Sequence, residues 1–261
     1  VDVFAHLTTT QIQQLGDGFH VEEGTMNLVQ ALYLNNAEKP FDDVRVRQAL
    51  CYAVDRQQIL ELAFDGYGTL LGSSMYPAFS KYFDDSLTNT YEYNTEKAKA
   101  LLAEAGYPDG FETSISCNSS DQQRKDFCEV VQAQLAEVGI TLKIDVMDST
   151  QWASSLAAGE GYMTIYGLTA STGEAGRVLF RWLPDTSEWP ISSWDNQEYY
   201  DLINKALATT DTQERNELYY RCQEMLMENH VVLPVWHKEL NAACQLDVRG
   251  FRITPSYEQH Y

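Results

Sequence analysis

Apolar residues recur along this chain at two spacings, and the alternation between them predicts its elements. Leu28 to Leu34, apolar except for Gln30 and closed by Asn35-Asn36, reads as a strand. Asp42 or Asp43 then caps a helix ahead of Val44. Its stripe carries Val46, Leu50, Ala53 and Val54, and it ends at Phe64-Asp65-Gly66-Tyr67-Gly68. Residues 69 to 93, rich in Ser, Tyr, Pro and Asp, read as a long surface loop. Asn94-Thr95-Glu96-Lys97 opens a second helix through Ala98, Leu101, Leu102 and Ala105. Phe111 to Cys117 reads as a strand, and Ser120-x-x-Gln123 as a capping box for a helix burying Phe127, Val130, Val131, Leu135 and Val138. Beyond Gly139, Thr141 to Val146 alternates, with Leu142, Ile144 and Val146 on one face.

The pattern continues to the end. A short helix over Trp152 to Ala158 leads to a strand over Tyr162 to Leu168, the loop Thr169 to Gly173, and a helix from Glu174 to Trp182. Two helices follow at 196–208 and 212–229, the second opened by Asp211-x-x-Glu214 and facing inward through Leu218, Cys222, Met225 and Leu226. Strands over Val231 to Trp236 and Asn241 to Leu246 finish the chain. Strands interleaved with helices predict an α/β sandwich. No internal repeat, low-complexity tract or linker divides residues 1–261, so they are read as one structural unit.

Composition narrows the function classes. The 261 residues carry a formal net charge of −20, which repels phosphate backbones and argues against a nucleic-acid partner. No apolar run is long enough for a transmembrane helix. The start at Val1, without an initiator Met or a signal peptide, reads as a segment of something longer. Of the cysteines, Cys51 and Cys222 fall on apolar helix faces, while Cys117 and Cys128 flank a turn and are either a disulfide or free thiols. No Cys/His cluster has metal-site spacing, the five His are scattered, and no cofactor motif is present. Nucleophile elbows, zinc-protease motifs and phosphate loops are absent; a catalytic carboxylate pair is the one hydrolase arrangement left open.

The run Pro40-Phe41-Asp42-Asp43-Val44-Arg45-Val46-Arg47-Gln48-Ala49-Leu50, continuing through Ala53-Val54-Asp55-Arg56, resembles a signature of the extracytoplasmic solute-binding proteins that feed ABC importers. The group is the oligopeptide, dipeptide, glutathione and nickel cluster, family 5. Residues 91 to 107, Val130 to Ile140 and Thr209 to Pro234 resemble later segments of the same family, in order. The resemblance implies a type II periplasmic-binding-protein fold, with two α/β lobes closing over a ligand. This chain would be mostly the second lobe, a mixed sheet flanked by helices, with the first lobe largely absent and Val1-Asp2-Val3 near one crossover. It further implies a peptide-like solute, ABC permease subunits as partners, an extracytoplasmic location and membrane attachment only through a missing N-terminal lipid anchor. It implies no enzymatic step.

By the same resemblance, Ser171, Thr172, Gly173 and Glu174 form the first candidate ligand contact. Relatives carry an ammonium-binding Asp near the position of Ser171, a Trp at that of Leu168, and Asp-Pro where Ala175-Gly176 stand here. These departures bring the wording closer to the glutathione-binding branch. Ser171-x-x-Glu174 is equally a capping box that needs no ligand, and a ligand carboxylate would suit the same helix N-terminus. Arg124, with Lys125 beside it, is the second candidate, suited to bidentate pairing with a carboxylate; the plainer reading is a surface arginine paired with Asp121 or Asp126. Arg45 and Arg47 read as structural partners of Asp42, Asp43 or Asp55. Trp152, Trp182, Trp189 and Trp194 line either a cleft or the core. A non-transporting sensor of the same fold is the alternative function.

Overall fold

The computed structural model describes residues 2–5, 7, 9–73, 75–169, 175–180 and 192–253. It opens with β1 (Val3–Ala5), α1 (Thr9–Gln13) and a long β2 (Phe19–Leu34). Sequence patterning locates only the second half of β2, because Phe19 to Asn27 is mostly polar and none of its described side chains is fully buried. Next comes α2 (Val44–Ala53), started by Asp43, whose carboxylate accepts the Arg45 N–H at 2.8 Å. The single helix expected through Phe64 is in fact two. Asp55 accepts the Gln58 N–H at 3.0 Å and so restarts the chain as α3 (Arg56–Phe64). As the turn signal predicts, Asp65 ends α3 in the left-handed region.

The segment expected to be pure loop holds β3 (Thr69–Leu70) and a 3-10 turn over Asp85–Asn89. After it come α4 (Thr95–Glu104), β4 (Glu112–Asn118), α5 (Gln122–Ala136) and β5 (Thr141–Met147). The cap of α5 is Asp121, not Ser120, whose hydroxyl is bound to Asn118 Oδ1 at 3.0 Å. The chain then forms α6 (Ser149–Ala157), β6 (Met163–Thr169), α7 (Ala175–Phe180), α8 (Gln197–Ala208) and α9 (Thr212–Glu228). One strand, β7 (Val232–Gln245), replaces the two expected at the end. Its Pro234 cannot donate to a ladder, and the β2–β7 register shifts beside it, between Gln30 and Ala31.

The strands form one seven-stranded mixed sheet in the order β1-β7-β2-β6-β4-β5, with β3 on β7. β4 runs parallel to β5 and β6, whereas β2 is antiparallel to both β6 and β7. Alternate residues of β2 enter opposite layers. Leu32 and Leu34 join a core with Ile115, Phe127, Val131, Leu135 and the buried faces of α2, α3 and α4. Val29, Ala31 and Tyr33 join a second core with Val178, Leu179, Tyr199, Ile203, Cys222 and Leu226 from α7, α8 and α9. The result is the expected α/β architecture, a mixed sheet covered by helices on both sides.

Buried polar groups tie the layers. Arg47 does not pair with a carboxylate as expected. It donates to the carbonyls of Asn229, at 2.8 and 3.0 Å, and Phe41, at 2.6 Å. Arg56 donates to the carbonyls of Leu71 and Thr88, each at 2.6 Å, fastening the long segment to α3. Arg45 does pair with Asp43, at 2.5 Å on the surface. Burial, reinforced by the Arg47 charge, pushes the His230 imidazole down to about 4. Its Nε2 lies 3.2 Å from Tyr91 Oη. All five cysteines are free and buried.

Candidate ligand site

Because β4, β5 and β6 are parallel, their carboxyl ends share one edge of the sheet, and α5, α6 and α7 all begin there. In open α/β sheets this edge is where ligands bind, because loops and helix N-termini converge outside it. Asn118, the last residue of β4, organises two of these turns. Its Oδ1 accepts from Ser120 N, Ser120 Oγ and Ser149 Oγ at 3.0, 3.0 and 3.1 Å. Asp121 caps α5 by accepting the Arg124 N–H at 3.2 Å. Asp148 caps α6, accepting Thr150 N–H at 2.9 Å and Gln151 N–H at 3.0 Å.

Arg124 rises from the first turn of α5 and reaches across the strand ends to the other face of the sheet. Its guanidinium lies 5.2 Å from the Trp152 ring centroid and 5.9 Å from that of Tyr166. Both contacts are cation–π attractions. Trp152 is fixed by donating Nε1–H to Thr164 Oγ1 at 3.3 Å, and Tyr166 meets Tyr33 edge-on at 6.3 Å. The Arg124 side chain is 17% exposed, and its Nε stands 3.2 Å from Asp121 Oδ2 without hydrogen-bond alignment. Neither terminal nitrogen makes a hydrogen bond among the described residues. Lys125 follows on the same turn, half-buried. The edge thus sets the cations Arg124 and Lys125 beside the carboxylates Asp121 and Asp148.

Of the sequence-predicted contacts, Arg124 and Lys125 lie at this edge, with the expected Arg124–Asp121 pair in place. Ser171, Thr172, Gly173 and Glu174 lie outside the described residues, between β6, which ends at the edge, and α7, which starts there. Trp182 and Trp189 also lie outside them. Trp194 belongs to the core, packed 5.2 Å from Tyr199, whereas Trp152 belongs to the site. Sequence reasoning missed Tyr166 and Asn118. Their only signal is position, both standing near the carboxyl end of a predicted strand. Among the described residues, no group of His, Cys, Asp and Glu could hold a metal ion, and no helix is long and apolar enough to cross a membrane.

Residues 1–189 match the family described as bacterial extracellular solute-binding proteins, family 5, middle. The chain belongs to this family. The glutathione-binding protein GsiB of Shigella flexneri is 32% identical over 233 residues, covering 85% of this chain and 45% of its own length. Heme-binding protein A of Haemophilus influenzae is 30% identical over 248 residues, covering 92% of the chain and 45% of its own length. The dipeptide-binding protein of Pseudoalteromonas sp. SM9913, solved with Met-Leu, superposes with a TM-score of 0.87 at 28% identity, covering 98% of this chain and 52% of that one. The chain thus spans about half the length of the relatives it matches. Its fold is that of the periplasmic binding proteins, and these family members are binding proteins rather than enzymes.

Proposed function

We propose that this chain is the ligand-contacting second lobe of an ABC importer's solute-binding protein. The protein captures a small peptide or peptide-like solute, such as glutathione, by lobe closure and delivers it to permease subunits. No covalent step is involved, and the protein works outside the cytoplasm. The observation that carries this reading is the end of Arg124, unpaired among the described residues and set against the rings of Trp152 and Tyr166 at the carboxyl ends of the parallel strands. A guanidinium held against two rings, with terminal donors unused among the described residues, suits a carboxylate bidentately. The neighbouring Asp121 and Asp148 balance it and suit a cationic group, so the edge as a whole fits a zwitterion. Membership of the family and the glutathione-, heme- and dipeptide-binding relatives support capture of such a solute. Exposed Phe4 and Phe19, which flank β7 at one end of the sheet, support the one-lobe reading by offering apolar surface for the other lobe. Ser171 to Glu174, between β6 and α7, complete the proposed contact set with Arg124 and Lys125.

Calorimetric titration of the two-lobed protein with glutathione, dipeptides, free amino acids and heme tests this. Binding of the peptide-like class is expected, weakened about ten-fold or more by Arg124→Ala, the scale of a charge-assisted hydrogen bond. Heme binding alone, or peptide binding indifferent to Arg124→Ala, would overturn the ligand class or the site respectively.

A further inference from the structure

Behind the ligand edge, two buried cysteines meet. Cys117 is the penultimate residue of β4, and Cys128 lies in α5, with only Ser119 to Asp121 joining the two elements. The helix turns back over its strand to reach the parallel β5. Cys128 therefore sits about 9 Å along α5 from its first residue, back over the end of β4. Both side chains are fully buried in one core, on two elements that pack together, and each thiol is the strongest electrostatic influence on the other. Among the described residues no other cysteine touches a second thiol. Cys51 and Cys244 feel chiefly their burial, and Cys222 lies in the opposite core. The Cys128 neighbour and the Lys125 and Arg124 charges favour the Cys117 thiolate and outweigh its burial and the Asp121 charge, whereas the Cys117 neighbour and burial hold Cys128 protonated. One member of the pair is thus the nucleophile and the other resolves.

We propose that Cys117 and Cys128 form a dithiol–disulfide couple that, when closed, staples α5 to β4. The oxidant is a disulfide, RSSR, of the kind that proteins of an extracellular family meet. Deprotonated Cys117 Sγ attacks one sulfur of RSSR, forming a mixed disulfide and releasing RS⁻. Cys128, deprotonated in turn, attacks Cys117 Sγ and releases the second RS⁻. The two cysteines lose two electrons to RSSR, and their two protons end on the two released thiols. Full burial confines exchange to local opening of α5 or to folding itself. Arg124 stands one turn from Cys128 on the same helix, so closure also acts on the base of the ligand edge.

The test is to equilibrate the protein with graded ratios of reduced and oxidised glutathione, quench in acid, alkylate under denaturing conditions and map peptides by mass. The same series is run during refolding from denaturant, where burial no longer blocks access. The expected result is a Cys117–Cys128 cross-linked peptide, lighter by two hydrogens. Alkylatable thiols fall from the five of the sequence to three as the pair is lost, and dithiothreitol reverses this. The closed form should melt at a higher temperature than the reduced form, a difference that Cys117→Ser abolishes. Five alkylatable thiols at every ratio in both series, a stable glutathione adduct on one cysteine, or a link to Cys51, Cys222 or Cys244 would each overturn the proposal.

Discussion

Arg47 and Arg124 are the same side chain put to opposite uses. The Arg47 guanidinium is buried and its donors end on main-chain carbonyls from the α2 approach and the α9–β7 corner. Taking such a charge out of water costs several kcal/mol, and burial lowers its proton affinity despite Asp43 and Asp42 nearby. Only a full set of acceptors offsets that cost. Arg124 keeps partial exposure, lies over two aromatic rings and leaves its terminal nitrogens unpaired among the described residues. The first arrangement fastens layers; the second holds a fork ready for something absent from the chain. The segment that most plainly resembles the family is therefore scaffold, and the ligand contact proposed here lies in a turn that looks ordinary in sequence.

Breaking the first half of that comparison should have the largest effect. Arg47→Met leaves the Phe41 and Asn229 carbonyls without their buried donor, which is expected to cost on the order of 4 kcal/mol. A urea midpoint comparison reads it, and a loss below about 1 kcal/mol would mean water replaces the guanidinium.

Acid should act on the same corner. His230 is a base whose folded pKa, about 4, lies below the ordinary 6.5. Between these values the unfolded chain binds the extra proton. Stability is therefore full above about 6.5, declines as pH falls, and has lost on the order of 3 kcal/mol once pH passes below about 4. His230→Asn, which tolerates the same left-handed backbone (φ 49°), should flatten that part of the stability–pH curve. An unchanged slope would place the acid sensitivity elsewhere.

Arg124→Ala should cost only about 1 kcal/mol of stability, since it removes partly exposed cation–π contacts and one ion pair. Its expected effect is on affinity. A loss of stability matching that of Arg47→Met would erase the distinction between the two arginines. The smallest change, Asp43→Ala, removes a helix cap and should cost about 1 kcal/mol or less, seen as a slightly lower thermal midpoint.

Legibility in the sequence follows the range of the interaction. The caps at Asn94 and Asp211 are visible because both partners lie within three residues. The Ser120 box misleads because Asn118, also local, binds that hydroxyl first. Asp55 could have signalled the α2–α3 break, but the apolar stripe runs through it. The first half of β2 is hidden because its residues are mostly polar and show no apolar alternation. The meeting of Arg124, Trp152 and Tyr166 joins an α5 residue to α6 and β6 across the sheet edge, and no local pattern encodes it.

β2 has one more consequence. At sixteen residues it is about 50 Å long, more than twice the reach of β4 or β5. From Leu28 onward it is laddered to β6; up to Thr25 it is laddered to β7, and β7 continues beside it from Val29 to Tyr33, with the register shifting between Thr25 and Val29. Force applied at the Phe19 end therefore enters β7 as shear through cross-strand hydrogen bonds and reaches the helix-covered half along that strand. Mechanically the molecule is a stiff block carrying a ribbon, and β7 is the member that couples the two.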